Sequence, residues 1–386
     1  MDAPGPGPGR KNGVGVMLML TGLLGLVMAG SMMDLTFMQR SQEEEEAEAE
    51  PAPEGGGDDD DEGPGNLWED WDDAAPAGDE AGREEDGPAA GAEAAGPGIS
   101  EPGLDMSGTG ADDIIGGGAG ADTLQGLEGD DQINGGEGDD LLIGGEGADD
   151  LHGAGGDDLL LGGDGADTLH AQAGDDTALG EAGDDTLAGH AGDDVLLGGA
   201  GDDWLIGGEG ADTLRGEAGD DSLEGGLGDD HLDGGAGRDT LFGNDGDDTL
   251  VGIPADAADD SAGDADFLNG GRGEDRLVLG AGDYGSGGEG ADSFLLGDWL
   301  AHGEGVATIG DYEPAEDQIV LAYDAAAHPD PAVTVETEGA TAHVLIDGIR
   351  IAEVADAAGL TADDILLLRS DEILEAWSTQ AGRAAA

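Results

Sequence analysis

The sequence predicts an all-β solenoid in the middle of the chain, with a hydrophobic segment and an acidic linker before it and a small β cap after it. Three observations support this fold class. A nine-residue pattern runs from Ser107 to Val251, glycine supplies 80 of the 386 residues, and aromatic residues make up only 3%. A conventional core rich in large aromatic side chains is therefore excluded for most of the chain.

The charge balance restricts the classes of partner. The 92 acidic residues outnumber the 11 basic ones, and the formal net charge is −81. So acidic a surface repels the phosphates of nucleic acids, which excludes nucleic-acid binding, and cations are the expected partners. The chain has no cysteine, which excludes disulfides, thiolate metal sites and a cysteine nucleophile.

Residues 1–40 contain an uncharged apolar stretch, residues 14–33, which follows Arg10 and Lys11. Twenty residues at ~1.5 Å each span the ~30 Å hydrocarbon core of a bilayer. The preceding basic residues predict a cytoplasmic N-terminus and an extracytoplasmic location for everything after residue 40. Two interpretations stay open: the length favours a membrane anchor, and small residues near the end of the stretch also fit a cleaved signal peptide.

Residues 41–106 are predicted to be a disordered acidic linker. Between Glu43 and Glu101 there are 23 acidic residues, and Arg83 is the only basic one. Such a segment repels itself and has too little apolar surface to fold, so we expect an extended spacer.

The nine-residue repeat of residues 107–251 is illustrated by Gly135 to Ile143. Counting in nines from Ser107, with one extra glycine near Gly116, gives 144/9 = 16 copies. The fourth position is always glycine, and the eighth is leucine or isoleucine except at Ala178. The sixth position is always aspartate, namely Asp112, Asp122, Asp131, Asp140, Asp149, Asp158, Asp167, Asp176, Asp185, Asp194, Asp203, Asp212, Asp221, Asp230, Asp239 and Asp248.

This spacing predicts stacked coils. A strand of two or three residues around the eighth position directs one leucine inward, and the glycine-rich remainder turns the chain. One leucine per repeat cannot bury a face alone, so neighbouring repeats must stack as a solenoid. If two repeats form one coil, aspartates of every second repeat stack at ~4.8 Å. One ladder then runs from Asp122 to Asp248, and the other runs from Asp131 to Asp239 and back towards Asp112.

Two ladders of bare carboxylates require a counter-ion. Neighbouring carboxylates at this spacing repel each other by several kcal/mol at an effective dielectric constant of ~20. Carboxylate and carbonyl oxygens suit Ca²⁺, whereas Mg²⁺ demands a smaller and stricter octahedron. Zinc and copper are disfavoured because the histidines of this region have no evident ligand spacing, these being His152, His170, His190 and His231.

The pattern resembles the repeats-in-toxin (RTX, haemolysin-type) nonapeptide G-G-x-G-x-D-x-U-x. The resemblance implies a right-handed parallel β-roll that binds multiple calcium ions, each held by aspartate carboxylates and backbone carbonyls of two stacked turns. Transferred to this chain, one site combines the carbonyls of Gly136 and Gly138 with the Asp140 carboxylate. The carbonyls of Gly153 and Gly155 and the carboxylate of Asp158 complete that site from the next coil.

The chain departs from the family pattern at the second repeat position, where seven residues replace glycine: Leu127, Ala154, Gln172, Glu181, His190, Glu217 and Asn244. If the turn needs a positive φ there, sites that use these turns are expected to be weaker. The coil with Gln172 and Ala178 is expected to be the weakest, since it lacks both a turn glycine and a core leucine.

Charge arithmetic agrees with calcium. Residues 107–251 contain 38 acidic and two basic residues, a net charge of −36. Pairing each of the 16 repeats with the repeat two ahead gives 16 − 2 = 14 sites, or +28 from calcium. Calcium would thus leave about −8 on the roll, and we expect the repeats to be unfolded without it.

Residues 252–296 look like degenerate repeats, with weaker copies at Asp266, Asp275 and Asp292. Residues 297–386 are predicted to form a C-terminal cap, which terminal coils of a solenoid require. Its expected elements are strands at Ile319–Leu321 and Val333–Val335, a hairpin about Asp347-Gly348, and helical segments at 361–368 and 371–377.

No catalytic motif is found: the chain has no H-E-x-x-H, G-x-S-x-G or G-x-x-x-x-G-K-[ST] sequence, so we expect no enzyme. We expect a calcium-binding protein outside the cytoplasm, either secreted or anchored by residues 14–33 and facing outward. The alternative is an exported adhesin or effector whose C-terminal region binds a target. The resemblance also implies type I secretion from a C-terminal signal, which conflicts with an N-terminal hydrophobic segment and leaves the export route open.

Overall fold

The computed structural model describes residues 103–253, 265–297, 300, 305–357 and 359–369, all within one unit, Ile99–Ala386. The predicted membrane or signal segment, nearly all of the linker and the predicted helix at 371–377 lie outside these residues. Within the described ranges no helix is long and apolar enough to span a membrane.

The described residues fold as an all-β parallel solenoid without α-helix. Residues 103–253 form strands β1 (Asp105–Ser107), β2 (Ile114–Ala119), β3 (Thr123–Glu128), β4 (Gln132–Glu137), β5 (Leu141–Glu146), β6 (Asp150–Gly155), β7 (Leu159–Asp164), β8 (Thr168–Ala173), β9 (Thr177–Ala182), β10 (Thr186–Ala191), β11 (Val195–Ala200), β12 (Trp204–Glu209), β13 (Thr213–Ala218), β14 (Ser222–Leu227), β15 (His231–Ala236), β16 (Thr240–Asp245) and β17 (Thr249–Val251).

The later strands continue the same architecture with less regular spacing. They are β18 (Phe267–Arg272), β19 (Arg276–Val278), β20 (Tyr284–Glu289), β21 (Ser293–Gly297), β22 (Ala307–Ile309), β23 (Gln318–Tyr323), β24 (Val333–Glu338), β25 (Thr341–Ile346), β26 (Ile349–Val354) and β27 (Ile365–Arg369).

Alternate strands belong to two different sheets. Among the described residues, the first sheet contains the odd-numbered strands from β1 to β23 and then β27, and the second contains the even-numbered strands from β2 to β22 followed by β26, β25 and β24. Within the repeats each strand pairs in parallel with the next strand but one, for example Leu142 of β5 with Leu160 of β7. Two repeats therefore make one coil, as predicted.

The core of the repeats is a column of eighth-position side chains, one from each strand from β2 to β17. Leu142, Leu151 and Leu160 are fully buried, and each buried leucine contributes ~1.5–3 kcal/mol. Ala178 is also fully buried, in the same cluster, so its side chain faces the core as the sequence predicted.

The strands are longer than expected, at six residues rather than two or three. Pairing continues past the first-position glycine: Gly145 pairs with Gly163 and Glu146 with Asp164. The backbone ladder needs no side chain at these positions, so glycine-rich residues that we interpreted as turn also belong to the strands.

The C-terminal strands extend both sheets beyond the repeats. Strands β24, β25 and β26 form an antiparallel meander. Asp347 and Gly348 form the two-residue turn of its second hairpin, with φ values of 51° and 83°, as a type I′ turn requires. The predicted helix at 361–368 is wrong: a single 3₁₀ turn at Ala362–Asp364 is followed by β27. Ile365 pairs with Ile319 of β23 and is buried. A strand forms here because the edge of β23 supplies hydrogen-bond partners for the backbone of β27, and the pairing buries the apolar side chain of Ile365.

Candidate metal centre

Nearly every turn between strands of the repeats has a left-handed backbone conformation at its second and fourth positions. Gly136 and Gly138 illustrate this, with φ values of 107° and 121°. The seven residues that replace glycine at the second position keep the same geometry: the φ values are 96° for Leu127, 83° for Ala154 and Gln172, 77° for Glu181 and His190, 75° for Glu217 and 78° for Asn244. These turns therefore do require a positive φ at the second position, and each of the seven residues that replace glycine there is strained.

The sixth-position aspartates form two buried ladders. The backbone N–H of Asp122 donates to Oδ1 of Asp140 at 2.7 Å, and the N–H of Asp140 donates to Oδ1 of Asp158 at 2.8 Å. The other ladder repeats this contact, with the Asp131 N–H donating to Oδ1 of Asp149 at 2.8 Å. These carboxylates are less than 5% exposed. One oxygen of each carboxylate is thus used in binding the neighbouring coil.

The second carboxylate oxygen has no hydrogen-bond donor. Oδ2 is buried without a hydrogen-bond partner in Asp122, Asp131, Asp140, Asp149, Asp158, Asp167, Asp176, Asp185, Asp194, Asp203, Asp212, Asp221, Asp230, Asp248 and Asp275. Leaving one buried acceptor unsatisfied costs about 1–3 kcal/mol, more for a charged one. So regular a set of buried acceptor oxygens fits the binding of positively charged groups.

The unsatisfied oxygens face backbone carbonyls across the first-position glycines. A Cβ on Gly135 would collide with Oδ2 of Asp140 and lie 2.9 Å from the carbonyl oxygen of Gly153 in the next coil. The same pair of oxygens, one carboxylate and one carbonyl of the next coil, crowds Gly117, Gly126, Gly144, Gly153, Gly162, Gly180, Gly189, Gly207, Gly216, Gly225 and Gly243. Two acceptors with no donor between them suit a hard cation.

Burial raises the pKa of many ladder carboxyls, and the hydrogen bond from the neighbouring backbone N–H offsets this only in part. The pKa reaches about 6 in Asp149, Asp203 and Asp212. It reaches about 7 in Asp158, Asp167, Asp194, Asp221, Asp230, Asp248 and Asp275. The bare ladders therefore resist full ionisation at neutral pH, and a bound cation would remove that resistance.

The structure brings the predicted carbonyl donors to the same edge. The carbonyl oxygen of Gly153 faces Asp140, as described above. That of Gly155 accepts the Gly138 N–H at 2.6 Å and keeps a second lone pair. The carbonyl oxygens of Gly136 and Gly138 point towards the following coil, where that of Gly138 would collide with a Cβ on Gly156.

One predicted ladder residue is wrong. Asp113, rather than Asp112, lies in register with Asp131, since its N–H donates to Oδ1 of Asp131 at 2.7 Å. Asp112 is exposed, and its Oδ1 accepts the N–H of Asp130 at 3.2 Å. The first repeat contains adjacent aspartates, so counting from Ser107 with an inserted glycine selected the wrong one. In the structure the repeat contains no extra glycine near Gly116. Ile115 pairs with Ile133, 18 residues further along the chain, in the same register as in the later coils.

The ladders also extend beyond residue 251, including two members that the sequence analysis missed. Asp239 and Asp248 donate their N–H groups to Asp266 and Asp275, which were recognised as weaker copies. Asp283 accepts from Asp266, and Asp317 accepts from Asp292. The spacings at these steps are 17 and 25 residues, so a search for a strict nine-residue period cannot find them.

A third missed feature is Ala171, which occupies the first repeat position. Its neighbours His170 and Gln172 pair with His152 and Ala154, so Ala171 lies beside Gly153. It is fully buried, and its methyl group takes the place that glycine leaves open elsewhere. The oxygens near Asp176 are therefore obstructed in this coil.

Side chains alone do not build the site. Within the described ranges, no group of three or more His, Cys, Asp or Glu side chains is arranged to hold a metal ion. Any cation on the ladders thus depends on backbone carbonyls as well as carboxylates.

Comparison with known proteins identifies the repeat. The RTX calcium-binding nonapeptide repeat matches residues 107–252 in overlapping segments and again at 261–285. Among solved structures, the R3 subunit of a mannuronan C5-epimerase from Azotobacter vinelandii is 25% identical, with 44% of this chain and 80% of that one covered and a TM-score of 0.19. The extracellular lipase LipA from Serratia marcescens is 17% identical, with 57% and 40% covered and a TM-score of 0.18. No curated protein matches the chain. Residues 107–285 thus carry several RTX calcium-binding nonapeptide repeats.

Proposed function

We propose that the protein binds several calcium ions along the two aspartate ladders and that binding folds the roll outside the cytoplasm. The observation that carries the proposal is the repeated pair of acceptors, an aspartate Oδ2 and a carbonyl of the next coil, that meet at most first-position glycines of the repeats. A calcium ion there joins two coils through oxygen ligands.

The ligand chemistry supports calcium over other ions. The ladders offer carboxylate and carbonyl oxygens only, and Ca²⁺ accepts six to eight such ligands in flexible geometry. Mg²⁺ needs a tighter octahedron and retains its waters, while Zn²⁺ favours nitrogen and sulfur.

Charge couples binding to folding. Residues 107–251 have a net charge of −36, and stacking the coils brings those carboxylates together. Folding without cations is therefore opposed by repulsion and by burial of charge. Calcium at the millimolar levels found outside cells matches sites of ~10⁻⁴ to 10⁻³ M affinity. A chain that stays unfolded until it meets millimolar calcium can be exported before it folds. Export would occur either by secretion or with residues 14–33 as a membrane anchor.

The C-terminal strands favour a capping role over a separate target-binding domain. Strands β23 and β27 extend one sheet, and β22 with β24 to β26 extend the other. We therefore propose a non-catalytic calcium-binding protein in which these strands complete the roll.

Isothermal titration calorimetry of the full chain with calcium tests the proposal. We expect several ions per chain and no comparable heat with magnesium. Binding of a single calcium ion, or equal binding of magnesium, would overturn it.

A further inference from the structure

The outer face of the first sheet carries an apolar patch that calcium binding does not explain. In strands β5, β7, β9 and β11, which are neighbours in that sheet, the second residue is fully buried in the core. The first and third residues therefore face outward. Seven of these eight outward residues are aliphatic, namely Leu141, Ile143, Leu159, Leu161, Leu179, Val195 and Leu197. We call these seven side chains the leucine patch.

The second sheet differs at the same level of the roll. The outward residues of β4, β6 and β8 are polar or charged, namely Gln132, Asn134, Asp150, His152, Thr168 and His170. Both sheets supply turns to the aspartate ladders, so the proposed calcium sites do not require an apolar face on one sheet only. The leucine patch thus indicates a separate role for the first sheet.

Farther along the first sheet, apolar residues at the same outward position are covered. Val278 of β19 and Leu295 of β21 are only 4% and 7% exposed, in a cluster against which Ile253 packs. The seven side chains of the leucine patch are instead all partly exposed. Contiguous exposed apolar surface of this kind marks interaction sites in soluble proteins.

The leucine patch and its borders are free of acidic side chains, although the chain contains 92 acidic residues. The outward residues of the bordering strands β3 and β13 are Thr123, Gln125, Thr213 and Arg215. The next acidic residues on this face are Asp105 of β1 and Asp233 of β15. A partner that packs on strands β3 to β13 therefore meets no carboxylate at the contact.

The shape and area of this face fit a second sheet. Six strands at ~4.8 Å span about 29 Å, and six residues at ~3.3 Å span about 20 Å, which gives a face of about 580 Å². Two such faces bury about 1,200 Å² in total, the lower end for specific protein interfaces. Sheets pack face to face about 10 Å apart, and a second copy of the chain offers a face equally flat and equally apolar.

The apolar residues at the C-terminal end of the same chain are too far away to cover the patch. The described strands end at Arg369 of β27, which is seven strands from β11 in the first sheet, or about 34 Å. Ile373 and Trp377 follow four and eight residues later, so their reach is at most about 13–29 Å.

We propose that the leucine patch is the contact surface of a homodimer in which two rolls pack sheet against sheet in the presence of calcium. The calcium dependence rests on the proposed function. Without calcium, the net charge of −36 on residues 107–251 makes two copies repel each other. The bound ions reduce that charge, and the folded strands bring the seven aliphatic side chains together.

Cross-linking of the full-length protein tests the contact surface. The chain has no cysteine, so one introduced cysteine reports one position. Thr177→Cys lies within the leucine patch, at the first position of β9. Thr186→Cys is the matched control, because it replaces the same residue type at the first position of β10 in the second sheet. Both variants are treated in calcium with a bifunctional maleimide that spans about 10 Å, the separation of packed sheets.

We expect at least about tenfold more cross-linked dimer from Thr177→Cys than from Thr186→Cys, with a yield that rises with protein concentration. Adding Leu161→Thr and Leu179→Thr to Thr177→Cys should lower the yield by at least about fivefold. Adding Ile206→Thr, at the third position of β12 in the second sheet, should leave it unchanged. Equal yields from the two cysteine variants, or a yield that the two leucine substitutions do not change, would overturn the proposal.

Circular dichroism of the same samples separates this inference from the proposed function. Calcium-induced β-structure without cross-linking of Thr177→Cys would overturn the dimer and leave calcium-dependent folding intact. Absence of calcium-induced β-structure would overturn the proposed function and, with it, the calcium dependence of the dimer. In chelator, the yield from Thr177→Cys should fall to that of Thr186→Cys.

Discussion

Substituting Gly207 by alanine tests whether the first-position glycines keep the cation sites open. The added Cβ would collide with Oδ2 of Asp212 and lie 2.6 Å from the carbonyl oxygen of Gly225. Gly207 does not have a positive φ, so the substitution introduces no left-handed strain. Its effect is confined to the space between the two oxygens.

The expected loss follows from two contributions. One site with a dissociation constant of ~10⁻⁴ to 10⁻³ M stabilises the folded state by about 1.4–2.7 kcal/mol at about 10 mM calcium. Steric crowding adds ~1–3 kcal/mol. We therefore expect Gly207→Ala to lower the free energy of unfolding by about 2–6 kcal/mol in calcium.

The assay combines calorimetric stoichiometry with urea unfolding at fixed calcium concentration. The control is Gly116→Ala, because a Cβ on Gly116 meets no atom within 4 Å. Gly207→Ala should bind one calcium ion fewer than this control. The reciprocal change, Ala171→Gly, should add one ion by clearing the space near Asp176. If both alanine variants bind as many ions as the wild type and unfold alike, the proposed position of the ions is refuted.

Three further predictions concern strain, packing and pH. Glu217→Gly removes the strain of a φ of 75° and should stabilise the roll by about 0.5–1 kcal/mol. Its control, Glu209→Gly, removes the same charge at an unstrained position and should destabilise the roll by about 0.5–1 kcal/mol. Equal effects of the two substitutions in urea unfolding would contradict the strain argument. Ala178→Leu fills a fully buried core position and should raise the stability of the calcium-bound protein by ~1 kcal/mol or more, and a loss of stability in the same assay would show that no room exists. Burial raises the pKa of Asp194 to about 7. Between about pH 4 and 7 the folded roll therefore binds protons that the unfolded chain does not bind. The stability of the roll without calcium should consequently rise as the pH falls through that range. Circular dichroism in chelator should show more β-structure at pH 5 than at pH 7, while the calcium concentration needed for folding should increase at pH 5, and no change in either would contradict the pKa argument.

The repeat made most of the solenoid predictable. A period of nine with leucine at the eighth position determines two strands per coil, a leucine column and aspartates in register at every second repeat. Asp122 and Asp131 therefore reach their ladders as predicted. This reasoning depends on strict periodicity, and it holds wherever the period holds.

The errors occur where the period is ambiguous or broken. Asp112 and Asp113 are adjacent, and the structure distinguishes them by the pairing of Ile115 with Ile133 and by the hydrogen bond from the Asp113 N–H to Asp131. Asp283 and Asp317 join the ladders after irregular spacings. Ile365 to Leu368 follow a good helix-capping pattern, but tertiary pairing with β23 overrides that local preference.

Three histidine rings that contact one another, those of His152, His170 and His190, show a different limit of sequence reasoning. His152 and His170 occupy the same position in repeats one coil apart, so the coil length could have identified them as neighbours. His190 is 20 residues from His170 and occupies a different repeat position. Its approach depends on the small side chain of Ala188 and on the left-handed backbone at His190, neither of which follows from spacing.

Circular dichroism of the full-length protein during a calcium titration tests the central claim most directly. Started in chelator at pH 7, the spectrum should be that of an unfolded chain and should gain β-structure cooperatively as calcium reaches ~10⁻⁴ to 10⁻³ M. Magnesium at the same concentrations should produce little change. A β-sheet spectrum that is already complete in chelator and unaffected by calcium would contradict the account.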